Sequence, residues 1–348
     1  MIKSLQIILF LLFFSEIINS QSMISKRVEL VSEKNIFPTG TISSCHASTI
    51  VEIENGNFLA AWFAGSYEGA NDVGIWISTF VNNSWSDPIE LLTGKDKNGN
   101  SLPCWNPVLF KTSENKLILF YKVGKNPREW WGMFVLSYDN GKTWSDPVKL
   151  PAGFLGPIKN KPIQISGERI FYPSSVELEN GDWSSHIEIS DTSLTNWIKV
   201  EIPKDDSIGV IQPTLLVHKI LQLQALCRSK QNFIYSSLSN DSGKTWSKLT
   251  PLQVPNPNSG IDAVRSSDDE YLLVYNPLFH GKDWVEGRNV LNVALSEDGI
   301  IWNDVYQLEH EKSGEFSYPA IIKSANGDFH ITYTSNRKFI KHVVIRIH

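Results

Sequence analysis

The sequence predicts an all-β chain folded as a six-bladed β-propeller. Three observations carry that prediction. An eight-residue pattern recurs about every fifty-five residues, short β-rich runs precede each copy, and no stretch of ten or more residues in the mature chain has helical periodicity.

The pattern is clearest in SYDNGKTW, Ser137–Trp144, and SNDSGKTW, Ser239–Trp246. Weaker copies are STFVNNSW at Ser78–Trp85, SDTSLTNW at Ser190–Trp197 and SEDGIIW at Ser296–Trp302. Successive opening serines are separated by 59, 53, 49 and 57 residues, the length of one four-stranded blade with generous loops.

The elements follow in order. Blade one reads STIVEI, FLAAWF and DVGIWIS, then its box, then a short outer strand in SDPIEL. Blade two reads NPVLFK, KLILFYK and GMFVLS before its box and SDPVKL after it. The boxes at Ser190 and Ser296 mark blades three and five, and blade four offers PTLLVH, LQALCR, FIYSSLS and SKLTPL. These runs are rich in Val, Ile, Leu and aromatics and are separated by Gly, Asn and Asp turns, as strands should be. A sixth unit, SYPAIIKS, DFHITYTS and KHVVIRIH, ends with the chain and lacks a fourth strand. The early segment KRVELVS, Lys26–Ser32, is expected to supply it and close the ring, leaving only short, protected sheet edges.

Each box spans the turn between the third and fourth strands. Asp139 and Asp241 are expected to accept hydrogen bonds from turn N–H groups, Gly141 and Gly243 to take positive φ, and Trp144 and Trp246 to pack between sheets. An aspartate that satisfies its own turn is not available for chemistry, so the boxes mark architecture and the opposite face carries the ligand. On that face, first strands begin at Cys45–Ser48, Trp105-Asn106, Lys159–Lys161, Gln212, Asn258-Ser259 with Asp262, and Ser317-Tyr318. Second strands end at Tyr67-Glu68 with Asp72, Arg128–Trp131, Ser174 with Glu177, Arg228, Asn276 and Tyr333. Two polar rings holding bases, carboxylates, a His and a Tyr suit an anionic, polyhydroxylated ligand.

Net charge is -5 and no basic run stands out, which excludes nucleic acid as an expected partner. Residues 1–20 read as a signal peptide: a short basic start, the apolar run LQIILFLLFF, and small polar residues near Ser20. That run is shorter than the roughly 20 residues a bilayer span needs. The expectation is a secreted or lumenal monomer with one propeller domain over 25–348 and no membrane span after cleavage. Cys45, Cys104 and Cys227 make at most one disulfide, and no Cys/His spacing resembles a zinc site. No metal or cofactor is expected, although the sequence does not decide whether a cation such as calcium sits on the axis. Twelve tryptophans is a high count; in a β protein core packing is the ordinary reading, and some are expected to be free to stack on sugar rings or other flat ligands.

The repeated Ser-x-Asp-x-Gly-x-Thr-Trp boxes on six blades resemble those of the sialidase (neuraminidase) superfamily, known as Asp-boxes or BNR repeats. The resemblance covers nearly the whole chain from about residue 25. It implies three arginines on a substrate carboxylate, a tyrosine nucleophile activated by a glutamate, and an aspartate acid/base in a first-blade loop. By this resemblance EFSYPAI puts the nucleophile at Tyr318, LQALCR the second arginine at Arg228, and EGRNVLNVALS the third at Arg288. Glu68 and Asp72 are then the acid candidates. Two positions depart. Cys45-His46-Ala47-Ser48 replaces the Arg-Ile-Pro segment that opens blade one, and Gln212 stands where the activating glutamate belongs. An amide takes no proton, so Glu177 or His46 would have to serve as the base. The segments CHASTIVE, NPREWWG, GPIKNKP and IQPTLL look like a divergent, sialidase-related BNR subgroup.

Three functions fit these residues. The first is an exo-glycosidase on sialic or uronic acid glycans, with Arg228, Arg288 and Arg128 on the acid group, since guanidinium binds carboxylate in two-pronged fashion. The second is a β-elimination lyase on uronate glycans, with His46 as base, Tyr318 as proton donor and Lys159, Lys161 and Arg228 neutralising the acid. The third is a non-catalytic glycan-binding propeller in which Trp105, Trp130 and Trp131 stack on sugars. Asn106, Gln212, Asp262 and Asn276 complete the expected polar lining.

Overall fold

The computed structural model describes residues 28–219, 222–268 and 270–348. The expected signal peptide, with Lys26 and Arg27 of the closing strand, lies outside the described residues. Six antiparallel sheets follow one another along the chain as blades of a propeller. Blade one comprises Ser44–Glu54, Asn57–Gly65, Gly74–Val81 and an outer edge split between Ser84–Trp85 and Ile89–Leu92. Blade two comprises Cys104–Lys111, Leu117–Val123, Trp131–Ser137 and Val148–Lys149. Blade three has Ile163–Ile165, Arg169–Glu177, Trp183–Asp191 and Trp197–Glu201; blade four has Val210–Val217, Leu223–Ser229, Phe233–Ser239 and Thr250–Pro255. Asp262–Ser267, Glu270–Tyr275, Val290–Ser296 and Asn303–His310 form blade five.

Blade six is closed from the other end of the chain. Phe316–Lys323, Phe329–Ser335 and Phe339–Ile347 take Val28–Asn35 as their outer strand, with Val28 opposite Ile347 and Asn35 opposite Lys341. Pairing the first and last described strands in one blade closes the ring.

Second strands are buried on both faces, which is why FLAAWF, KLILFYK and LQALC read as near-continuous apolar runs. Between neighbouring blades their side chains interdigitate, for example Phe63, Val73, Trp105, Leu119 and Tyr121 between blades one and two. All three cysteines belong to these layers as buried free thiols, and burial pushes Cys45 and Cys227 up to about 12. Among the described residues no disulfide forms.

The boxes sit at the ends of third strands. Asp139 accepts from Thr143 N at 2.9 Å, Thr143 Oγ1 at 2.6 Å and Ser137 Oγ at 2.9 Å, and Gly141 has φ 84°. Asp241 repeats the arrangement with Thr245 and Ser239. These hydrogen bonds hold Asp139 and Asp241 down at about 2. Blade one lacks the aspartate, and Asn82 and Asn83, at φ 51° and 63°, make the turn instead.

Candidate active site

At the opposite end, the first strands of blades one, two, four and six carry a left-handed residue near their start: Ala47, Asn106, Gln212 and Tyr318 have φ of 55°, 39°, 54° and 54°. Asn258, φ 54°, lies just ahead of the first strand of blade five. In blades one, two, four and six the strand register slips at the same place, so each is a bulge. Pro107, Pro213 and Pro319 directly follow three of these residues. Proline offers no N–H to a ladder, and a bulge is where a central strand tolerates that. A non-glycine residue in such a conformation costs about 1–3 kcal/mol and clusters at functional sites.

The bulges of blades four and six bring Gln212 and Tyr318 together. Tyr318 Oη accepts from Arg228 Nη1 at 2.9 Å and from Gln212 Nε2 at 3.3 Å. Gln212 Oε1 in turn accepts from Arg228 Nη1 at 3.2 Å, which orients the amide with nitrogen toward the phenol. Both acceptor positions of Oη are taken by donors, so the phenolic hydrogen points elsewhere. Arg228 also donates Nε to Asn258 Oδ1 at 3.0 Å, while Nη2 makes no hydrogen bond among the described residues.

His46 packs on the other side of Tyr318, ring centroids 4.1 Å apart, with Nδ1 3.0 Å from Thr334 Oγ1. Burial, then the charges of Arg337, Arg288, Arg228 and Lys159, hold its pKa well below the usual histidine value. The imidazole is therefore held neutral by burial and by the positive field around it.

Arg288 and Arg337 meet on one carboxylate. Glu315 accepts from Arg288 Nη1 at 3.2 Å, Arg337 Nε at 2.7 Å and Ser317 Oγ at 2.7 Å. Although burial opposes it, this pairing leaves Glu315 below the usual carboxylate range. Glu68 reaches over from blade one to pair with Arg337 Nη1. Trp284, 62% exposed, covers both guanidiniums at 5.1 Å and 5.3 Å.

Other expected site residues have different partners. Asp262 is buried and takes Lys161 Nζ at 2.8 Å, Thr214 Oγ1 at 2.8 Å and Ile321 N at 2.9 Å, so it ties blades three, four, five and six. Lys159 donates to Asn160 Oδ1, Ile261 O and Pro319 O, and burial lowers it to about 7. Asn276 Nδ2 bonds Val290 O and Phe316 O. Asn106 is buried at the blade-two bulge. Asp72 accepts from Ser66 N and Oγ, which braces its exposed loop. Tyr333, read as a rim residue, lies inside its strand with its hydroxyl on Glu309. Arg128 and Trp130 lie off the axis in a cleft shared with Glu177, whose pKa burial raises.

Sequence reading missed Arg337, Glu315 and Trp284. Arg337 follows the end of blade six's second strand, so the rim rule reaches it only two residues beyond Ser335. Among the described residues, no group of three or more His, Cys, Asp or Glu could hold a metal ion, and no helix is long and apolar enough to cross a membrane.

A family model for the BNR repeat-like domain matches residues 56–331. The chain belongs to the BNR repeat-like family. No curated protein matches it by sequence. Solved structures do match by fold. A Dyadobacter fermentans protein of unknown function aligns over 93% of this chain and 100% of its own, with TM-score 0.74 and 13% identity. The Hadza microbial sialidase Hz136 aligns over 90% and 68%, with TM-score 0.72 and 13% identity. Trypanosoma rangeli sialidase, solved as a covalent intermediate with 2,3-difluorosialic acid, aligns over 88% of this chain and 54% of its own, with TM-score 0.69 and 17% identity. At such identities the likeness establishes a sialidase-like six-bladed propeller, and the chemistry of this BNR repeat-like chain rests on its own residues.

Proposed function

We propose that this propeller is an exo-acting glycoside hydrolase for glycans ending in an acidic sugar. The observation that carries the reading is Tyr318 Oη held as a double acceptor by Arg228 and Gln212, beside a cluster of guanidiniums. Two donors on the oxygen stabilise developing phenolate and leave the proton free to depart. Arg228, which pairs with no carboxylate among the described residues and keeps Nη2 free, supplies the charge for a sugar carboxylate, while Arg288 and Arg337 stand beside it held on Glu315.

In the reaction, Tyr318 Oη attacks the anomeric carbon as the glycosidic C–O bond breaks. Glu177 gives a proton to the departing oxygen, His46 takes the phenolic proton, and water then releases the sugar and restores both groups. The capture of Trypanosoma rangeli sialidase as a covalent intermediate supports this class of chemistry on the shared fold. Neutral His46 against Tyr318 also suits β-elimination, with His46 removing the C5 proton of a uronate and Tyr318 protonating the leaving oxygen.

One panel decides among the readings. Sialosides and uronate-bearing oligosaccharides are incubated with the protein while new reducing ends and ultraviolet absorbance of an unsaturated uronate are followed. Release of sialic acid or a saturated uronic acid is the expected result. An absorbance rise replaces hydrolysis with elimination, and binding without turnover leaves a glycan-binding propeller.

A further inference from the structure

Outside the axial well formed by Tyr318, Gln212, Arg228 and His46, the face opposite the boxes has a concavity between blades two and three, a cleft of about 730 Å³. Its walls combine the flat surfaces of Trp131 and Phe154 with three cations, Arg128, Lys149 and Lys199. Glu177 is its one carboxylate, so the lining is cationic in a chain whose net charge is -5. Lys149 stands 4.8 Å over the Trp131 ring, placing an ammonium beside an aromatic face.

The cleft is braced from beneath. Buried Glu188 accepts Leu155 N at 3.0 Å and Gly156 N at 2.7 Å, and His186 at 3.1 Å, which pins the link between the two blades. Phe154 packs against Trp197 at 5.6 Å. Glu177 on the cleft wall pairs across its sheet with Trp183, and Arg228 lies 5.7 Å over the Trp183 ring, so the cleft stands next to the axial well.

We propose that this cleft binds the sugar on the leaving side of the cleaved bond and selects a uronate there over a neutral sugar. The inference rests on the axial well being an acidic-sugar site. A pyranose presents a C–H face to Trp131, and a carboxylate on its rim lies within reach of Lys149, Lys199 or Arg128. The neutral counterpart keeps the stacking and loses the ion pairs.

Calorimetric titration of the intact protein with tri-galacturonic acid, and with maltotriose as neutral probe, tests this. The wild type should bind tri-galacturonic acid more tightly than maltotriose, and less so at high salt. Lys149→Ala/Lys199→Ala, both exposed in the fold, should weaken tri-galacturonic acid about threefold to tenfold and leave maltotriose unchanged. The same weakening should persist in an Arg228→Ala background, where the axial well is impaired. If the double lysine variant binds as the wild type does, or if maltotriose binds equally well, the cleft assignment is overturned. Loss caused by Arg228→Ala alone also overturns it while supporting the axial reading. Loss caused by the lysines alone keeps the cleft and sinks the axial reading.

Discussion

Arg228 donates to the Tyr318 hydroxyl at 2.9 Å, and the same nitrogen holds Gln212 Oε1 at 3.2 Å. One guanidinium thus sets both the phenol and the amide beside it. Tyr318→Phe removes the reacting oxygen while keeping the ring that packs on His46, so the fold should survive. Activity on the substrate identified by the panel should fall by about 10²–10⁴ in kcat/KM, with an unchanged circular dichroism spectrum. Full activity in this variant would remove Tyr318 from the reaction.

Much of this arrangement was legible because propeller topology converts strand order into position. Strand starts and ends sort to one face, which located Tyr318, Gln212, Arg228 and His46 without any contact being known. The topology does not say how deep along the axis a residue lies. Sequence position groups Asp262 and Lys161 with the lining, yet Asp262 is buried and holds the half-buried Lys161 as an ion pair. Arg337 was invisible for another reason: its place depends on the turn after a strand, and Asn336 and Arg337 both take positive φ there, at 51° and 57°.

The neutrality of His46 makes its basicity depend on the ligand. Burial and four cations disfavour the imidazolium in the unliganded protein. An anionic sugar cancels part of that field, so the pKa rises in the complex. Activity requires the neutral form and is lost as pH falls through that pKa. The acid limb of kcat, which reports the complex, should therefore lie at higher pH than the acid limb of kcat/KM, which reports the free enzyme. Coincident limbs, or identical profiles for His46→Ala, would sink the role of this residue as base.

Asp262 should matter to stability far more than to binding. It is buried, receives Lys161 and three further hydrogen bonds, and joins four blades through one carboxylate. Asp262→Ala leaves Lys161 without its anion and Ile321 N without an acceptor. Breaking a buried pair on one side costs about 3–5 kcal/mol, and the loss should appear as a lower denaturant midpoint. A variant as stable as the wild type would show that the axis is held elsewhere.

A second buried pair predicts acid sensitivity. His330 Nδ1 and His342 Nε2 are 3.0 Å apart, and Trp85 Nε1 donates to His342 Nδ1 at 3.3 Å. His342 must therefore carry its proton on Nε2 and give it to His330, so a charged His342 would turn an N–H against Trp85. Burial lowers His330 to about 4 and His342 to about 3. Unfolded histidine titrates near 6.5, so between that value and about 4 the unfolded chain binds more protons than the folded one. Stability is complete above pH ~6.5 and falls below it, by up to about 1.4 kcal/mol per pH unit for each histidine. Denaturant unfolding across this range should show a shallower slope in His342→Gln, which can accept from Trp85 and donate to His330 without titrating. An unchanged slope would assign the acid loss to other groups.

Glu177 is the carboxyl best suited to give a proton to a leaving oxygen. Asp72 is committed to Ser66 and Glu68 to Arg337, whereas Glu177 makes no ion pair among the described residues. Burial is the largest influence on it and raises its pKa, which keeps the acid form present at higher pH; Arg228, Arg128 and Lys230 oppose that rise. A general acid is needed in proportion to the basicity of the leaving group. Glu177→Gln should therefore cost about 10²–10⁴ in kcat on a glycan with an alcohol leaving group and much less on an aryl glycoside whose phenol departs unaided. The alkaline limb of the rate profile, set in the wild type by loss of the Glu177 proton, should vanish in the same variant. Equal losses on both substrates, with the alkaline limb intact, would mean that Glu177 shapes the cleft and that another group delivers the proton.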